Sequence, residues 1–141
     1  MSEFLISSSD SVTDEEALSL YESVGWTTYT RDPGLLMRAI RGSSLLVTAR
    51  GPERELWGLA RVISDDATIC YLQDILVRPE IQLAGIGRAL LEHVKAQYHH
   101  VRQTVLITDG TPAQRVFYES LGFTEGGDNK PEPIRTFILF R

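Results

Sequence analysis

"VRPEIQLAGIGRALLEH", residues 77–93, leaves a stretch of branched residues and enters a helical pattern. Gly85 and Gly87 stand where that helix must begin. Glycine costs conformational entropy at such a place, so it needs a cause: a turn too sharp for a side chain, or something that approaches the backbone closely. Unpaired N–H groups at a helix start, reinforced by the helix dipole, form an anion site. The segment therefore reads as a diphosphate cradle. A P-loop is excluded, because it ends in Gly-Lys-Ser/Thr and this segment has Gly-Arg-Ala. A dinucleotide fingerprint fits poorly, with Leu90 in place of its third glycine and eight residues between Val77 and Ile86.

Outward from this segment, the chain reads as alternating strand and helix signals. "FLIS" (4–7) reads as a short strand, and "TDEE" (13–16) is a capping box that opens a helix over 14–24. A second helix starts with Asp32 as N-cap and Pro33 in its first turn, and Gly42 ends it. Between them "GWTTY" (25–29) is an aromatic connector. Stretches 43–49, 55–64 and 68–77, broken by "RGPE" and "DDA", predict an antiparallel meander. A helix over about 87–99 follows, with Leu90, Leu91, Val94 and Tyr98 on one face. Then come a strand at 103–108, a helix at 112–121, and a last strand, "IRTFILF", at 134–140. The order is β-α-α-β-β-β-α-β-α-β: an α/β (α+β) chain with a mixed, mostly antiparallel sheet flanked by helices.

The 141 residues suit one domain, 1–141, and no linker or repeat divides them. With one cysteine, Cys70, no intramolecular disulfide forms, which fits a cytoplasmic setting. The opening "MSEFLISSSD" lacks a signal-peptide core, and no apolar run is long enough for a membrane span. The net charge of −5 and scattered basic residues argue against nucleic acid as the main partner. His93, His99 and His100 lack a matched ligand set, so no metal is expected.

"VRPEIQLAGIGRALL" resembles the coenzyme A loop of the GNAT superfamily of N-acetyltransferases, with Gln82, Gly85 and Gly87 at its motif positions. "AQRVFYESLGF" (113–123) resembles that family's later helix, with Tyr118 at its characteristic tyrosine. The order of elements matches from the first strand to the last. The resemblance implies a GNAT-like domain that takes acetyl-CoA as acyl donor. Backbone N–H groups of Leu83, Ala84, Gly85, Ile86, Gly87 and Arg88 would hold the diphosphate, and Ile75, Leu76 and Val77 would pair with the pantetheine arm as an added strand. Thr111 stands where the family often has asparagine, and "LA" at 83–84 replaces a common basic residue and glycine.

Acetyl transfer to an amine requires a neutral amine, a stabilised carbonyl oxygen and protonation of the departing thiolate. Tyr118 is the candidate acid, at the edge of an apolar stripe of Ala113, Val116, Phe117, Ser120 and Leu121. Asp74 is a candidate base; its alternative role is a structural carboxylate at a bulge or loop, and a water chain could serve instead. Strand alternation sends Gln73 and Asp74 to opposite faces, so only one should reach the cleft. Trp26 and Tyr29 are expected to wall the acceptor pocket or else to cover the core. The reading is an N-acetyltransferase acting by direct transfer in a ternary complex on a primary amine, best a small molecule, with a homodimer allowed. A non-catalytic acyl-CoA-binding or regulatory module on the same fold is the alternative.

Overall fold

Thr13 caps the first helix, accepting from the Glu16 N–H at 3.1 Å while the Glu16 carboxylate accepts from the Thr13 N–H at 3.0 Å. The computed structural model describes residues 3–82 and 84–141, and the chain divides into two units, Met1–Ile107 and Thr108–Arg141. In the first unit the elements are β1 (Leu5–Ser7), α1 (Asp14–Ser23), α2 (Thr27–Thr30), α3 (Pro33–Arg41), β2 (Leu45–Arg50), β3 (Leu56–Ser64), β4 (Ile69–Val77), α4 (Ile86–Gln97) and β5 (Gln103–Leu106). The aromatic connector thus contains a single helical turn, α2. Asp32 caps α3 through the Leu35 N–H at 3.2 Å.

The sheet runs in the order β1-β2-β3-β4-β5, antiparallel except for the parallel β4–β5 pair. A parallel pair needs a crossover, and α4 supplies it. The two sheet faces have different covers. Leu20 and Tyr21 of α1 and Leu36 and Ile40 of α3 share one buried cluster with Leu56, Leu59 and Leu76 of the sheet. Gly58, next to Leu59 and so on the opposite face, lies under α4: a Cβ there would stand 3.2 Å from both Ile86 and Leu90. The missing side chain lets the helix pack closely on β3. Buried Leu90, Leu91 and Val94 complete that layer, as their helical spacing predicts.

The second unit holds α5 (Pro112–Ser120), with Pro112 in its first turn and Thr111 accepting from the Gln114 N–H at 3.4 Å. Gly122, at φ 92°, takes the left-handed turn that follows it. Arg115 pairs with Glu119, Glu125 and Asp128. At 134–140, expected as a last strand, no strand is assigned among the described residues, and Phe137 and Phe140 are each 87% exposed.

Candidate active site

β4 does not alternate uniformly. Arg61 of β3 pairs with Asp74, but the next residue, Val62, pairs with Leu72, so Gln73 is an extra residue in a bulge. A bulge resets which side chains share a face. Leu72 therefore shares the face of Val62, and Asp74 that of Arg61. The expectation that only one of Gln73 and Asp74 could reach the cleft is corrected here. The Gln73 amide donates to the Tyr29 hydroxyl at 3.1 Å, and that hydroxyl donates to Asp74 Oδ1 at 2.9 Å.

Asp74 is buried, and three donors converge on its carboxylate. Tyr21 donates to Oδ2 at 2.9 Å, Arg61 Nε donates to Oδ2 at 2.8 Å, and Tyr29 takes Oδ1. Arg61, buried as well, spends further donors on the Ala39 carbonyl and the Ser43 hydroxyl, both at 3.3 Å. Burial first, and the Asp74 charge second, push the Tyr21 and Tyr29 hydroxyls above the ordinary tyrosine range, so both keep their protons. Trp26 closes the group: its ring lies 5.9 Å from Tyr21 and 6.0 Å from Tyr29, and the two tyrosine rings stand 5.3 Å apart edge to face. Trp26 and Tyr29 are half-buried, each with one side on the core and the other in solvent.

Sequence reasoning found Asp74, Trp26 and Tyr29 but missed Tyr21 and Arg61. A signal existed for both. Arg61 interrupts the apolar run "LWGLARVIS", and a charge buried in a strand demands a partner. Tyr21 follows Ala17 at four residues' spacing on the buried face of α1.

At the other end of β4, β5 pairs only with Ile69–Leu72. Among the described residues no strand pairs with that side of Gln73–Val77, so Ile75, Leu76 and Val77 offer an open backbone edge. Leu76 points its side chain into the core; Ile75 and Val77 are half-buried. Gln82 donates from its side chain to the Val77 carbonyl at 3.1 Å, tying the loop back to the strand end. Gly85 is the N-cap of α4 at φ 83°, a left-handed conformation that a residue with a Cβ resists. α1, α3 and α5 begin with side-chain caps, but α4 has none. Ala84, Gly85 and Arg88 are exposed at this start, Gly87 is half-buried and Ile86 anchors it in the core. Leu83 lies outside the described residues.

In the second unit Tyr118 is buried, between Phe117 at 5.0 Å and Phe123 at 5.9 Å from its ring. The expected stripe is corrected: Val116 is 67% exposed, and the inward face is Gln114, Phe117, Tyr118 and Leu121. Tyr118 and Phe117, about 100° apart, flank that face, and Tyr118 is the more buried of the two. Burial pushes its hydroxyl above the ordinary tyrosine range, opposed by a hydrogen bond with Thr108. Thr111 uses its oxygen as the α5 cap.

No group of three or more His, Cys, Asp and Glu residues among those described is placed to hold a metal ion. Burial raises the Cys70 thiol, which suits a core residue and not a nucleophile. No helix among the described residues is long and apolar enough to cross a membrane.

Residues 41–125 match the family model of the acetyltransferase (GNAT) domain. An uncharacterized N-acetyltransferase of Pyropia yezoensis is 25% identical over 126 residues, 87% of this chain and 71% of that protein. Other curated relatives are spanned over 33% to 66% of their length. Among solved structures, a GNAT family acetyltransferase of Streptococcus pneumoniae superposes with a TM-score of 0.85 at 26% identity, covering 99% of this chain and 98% of that one. An aminoglycoside N-acetyltransferase in complex with CoA has a TM-score of 0.73 over 100% of this chain and 96% of its own; at 14% identity it shares the fold alone.

Proposed function

The chain belongs to the GNAT family of acetyltransferases, and we propose that it transfers the acetyl group of acetyl-CoA to a primary amine of a small molecule in a ternary complex. One observation carries the reading: an edge of β4 at Gln73–Val77, with no strand partner among the described residues, leads into a helix start that has a left-handed glycine and no side-chain cap. An extended amide-bearing arm ending in a diphosphate fits that pair of features. The arm would add to the strand edge at Ile75–Val77, and the anion would lie against the backbone N–H groups of the loop and helix start, from Ala84 to Gly87, with Arg88 beside them. Gln82 holds the loop to Val77.

Tyr118 is the proton donor in this reading. Its raised pKa keeps the phenol protonated at neutral pH, and its hydroxyl would supply the proton that the departing sulfur gains as the C–S bond breaks. Asp74 is better suited to positioning than to accepting a proton, since Arg61, Tyr21 and Tyr29 occupy its oxygens. It holds the Tyr29 hydroxyl, and with Trp26 that ring would wall the amine site. The proton lost by the amine would leave through water. Thr111, engaged as a cap, would offer only its hydroxyl proton to the donor.

Thiol release from acetyl-CoA, followed across a panel of small primary amines and an amine-bearing peptide, tests the proposal. Amine-dependent release is expected. Binding of CoA with no release for any acceptor would favour the non-catalytic module, and no binding at all would overturn both.

A further inference from the structure

The hydrogen bonds around Asp74 fix the direction of a side chain beyond them. Asp74 accepts at both oxygens, from Tyr21 and Arg61 at Oδ2 and from Tyr29 at Oδ1. A tyrosine hydroxyl has one proton, and Tyr29 spends its own on Oδ1 at 2.9 Å. In its second contact, with the Gln73 side chain at 3.1 Å, the hydroxyl oxygen must therefore accept. An amide donates only from its nitrogen, so Nε2 of Gln73 faces Tyr29 and Oε1 is the end left over. Burial and the Asp74 charge raise the Tyr29 phenol, which keeps its proton in this chain of bonds at neutral pH.

Among the described residues Gln73 Oε1 accepts no hydrogen bond. No buried side-chain oxygen or nitrogen of a described residue lacks a partner, so an oxygen without one is in reach of water. Gln73 is also the extra residue of the β4 bulge and the first residue past Leu72, where pairing with β5 ends. In the acetyl-transfer reading, on which this inference rests, the diphosphate lies beyond Val77, so the acyl end of the arm runs back along β4 toward Gln73. Gln73 is two positions before Ile75, roughly 7 Å along the strand.

We propose that Gln73 orients the acceptor amine: Oε1 accepts an N–H of the uncharged amine and aims its lone pair at the thioester carbon, while Tyr29 and Asp74 act through Gln73 as positioning residues. The bonds that run from Arg61 through Asp74 and Tyr29 to Gln73 keep that oxygen presented. The C–N bond forms from the lone pair as the C–S bond breaks, the electron pair of that bond leaves on sulfur, and the surplus proton of the amine passes to water. An amide oxygen is too weak a base to keep that proton, so Gln73 aligns the nucleophile and takes nothing from it.

Thiol release from acetyl-CoA is measured with benzylamine, 2-phenylethylamine and ethylamine, and the fastest of the three is used for the variants. Gln73→Met keeps an unbranched chain of similar length and removes both polar ends. Its kcat/KM for the amine should fall about tenfold, the worth of one hydrogen bond, while the KM for acetyl-CoA and the circular dichroism stay as in the wild type. Tyr29→Phe keeps the ring, frees the amide to turn, and should cause a similar fall. The double variant should be no worse than Gln73→Met alone, because the amide that Tyr29 orients is gone. A wild-type kcat/KM in Gln73→Met overturns the proposal, as do losses that multiply in the double variant or fall equally on acetyl-CoA. No release from the wild type with these or any amine of the panel overturns the acetyl-transfer reading itself.

Discussion

At position 118 the hydroxyl is the only group that separates a proton donor from a packing aromatic. Tyr118→Phe keeps the ring between Phe117 and Phe123. It should preserve the fold and CoA affinity while lowering kcat by ~10²- to 10⁴-fold, the usual range for general acid catalysis. Turnover and calorimetric affinity on the same preparations check this, and an unchanged kcat removes Tyr118 from the chemistry. At position 74 a different pairing decides. Asp74 and Arg61 have side-chain exposures of only 2% and 7%. Asp74→Asn leaves a buried guanidinium without its counter-charge, which costs about 3 kcal/mol when one partner of such a pair is removed. Urea unfolding should show that loss. If Asp74 positions Tyr29, the surviving Asp74→Asn enzyme should show a raised KM for the amine with kcat little changed; a large fall in kcat at unchanged KM would instead make Asp74 the base.

At the scale of elements, the start of α4 separates two costs. Gly85 sits at φ 83°, and a Cβ there would meet nothing within 4 Å. Gly85→Val therefore strains the backbone by ~1–2 kcal/mol without clashing with the fold. The added side chain projects into open space at the start of α4, where the diphosphate is proposed to lie. Calorimetry should show CoA affinity falling at least tenfold in protein that remains folded by circular dichroism. Equal affinity would move the diphosphate elsewhere. The bulge at Gln73 acts at the same scale, since one extra residue turns Asp74 toward Arg61, α1 and α2 while Leu72 stays on the face of Val62.

Across the whole molecule, stability at low pH rests on a clamp that ties the chain before α1 to β2. Buried Arg50 donates to Glu16 and Asp10 and to the carbonyls of Ser11 and Arg54. Its hydrogen bonds hold the Asp10 and Glu16 carboxyls below their ordinary values of 3.8 and 4.5. A carboxylate with a depressed folded-state pKa stabilises the fold above its unfolded value and loses that contribution as pH falls through the folded one. Thermal unfolding should therefore show Tm constant near neutrality and falling once pH drops below about 4.5, the upper of those two values. Arg50→Met removes the hydrogen bonds that depress both groups. It should lower Tm at pH 7 and flatten the acid dependence; an unchanged acid slope would assign that dependence to other carboxylates, such as Asp65 in the β3–β4 turn, which hydrogen bonds from Thr68 hold low.

Local patterns in the sequence were sufficient for the elements of the first unit. A capping box, a proline in a first turn, turn chemistry between apolar runs and helical spacing each act over a few residues, and the structure realises them at α1, α3, β2–β4 and α4. Gly85 was legible for the same reason, because a left-handed helix cap is a local demand. What the tertiary structure decided depends on neighbours far along the chain. Arg61 and Asp74 are joined by a strand register, and Tyr21 reaches them from a helix 53 residues from Asp74. The bulge at Gln73 overrode simple alternation because register belongs to a pair of strands and not to one. The stripe on α5 shifted because burial follows what packs against a helix, and apolarity alone did not keep Val116 inside. At 134–140 the apolar residues read as a strand, but strand pairing is decided by a second backbone far along the chain and not by local pattern.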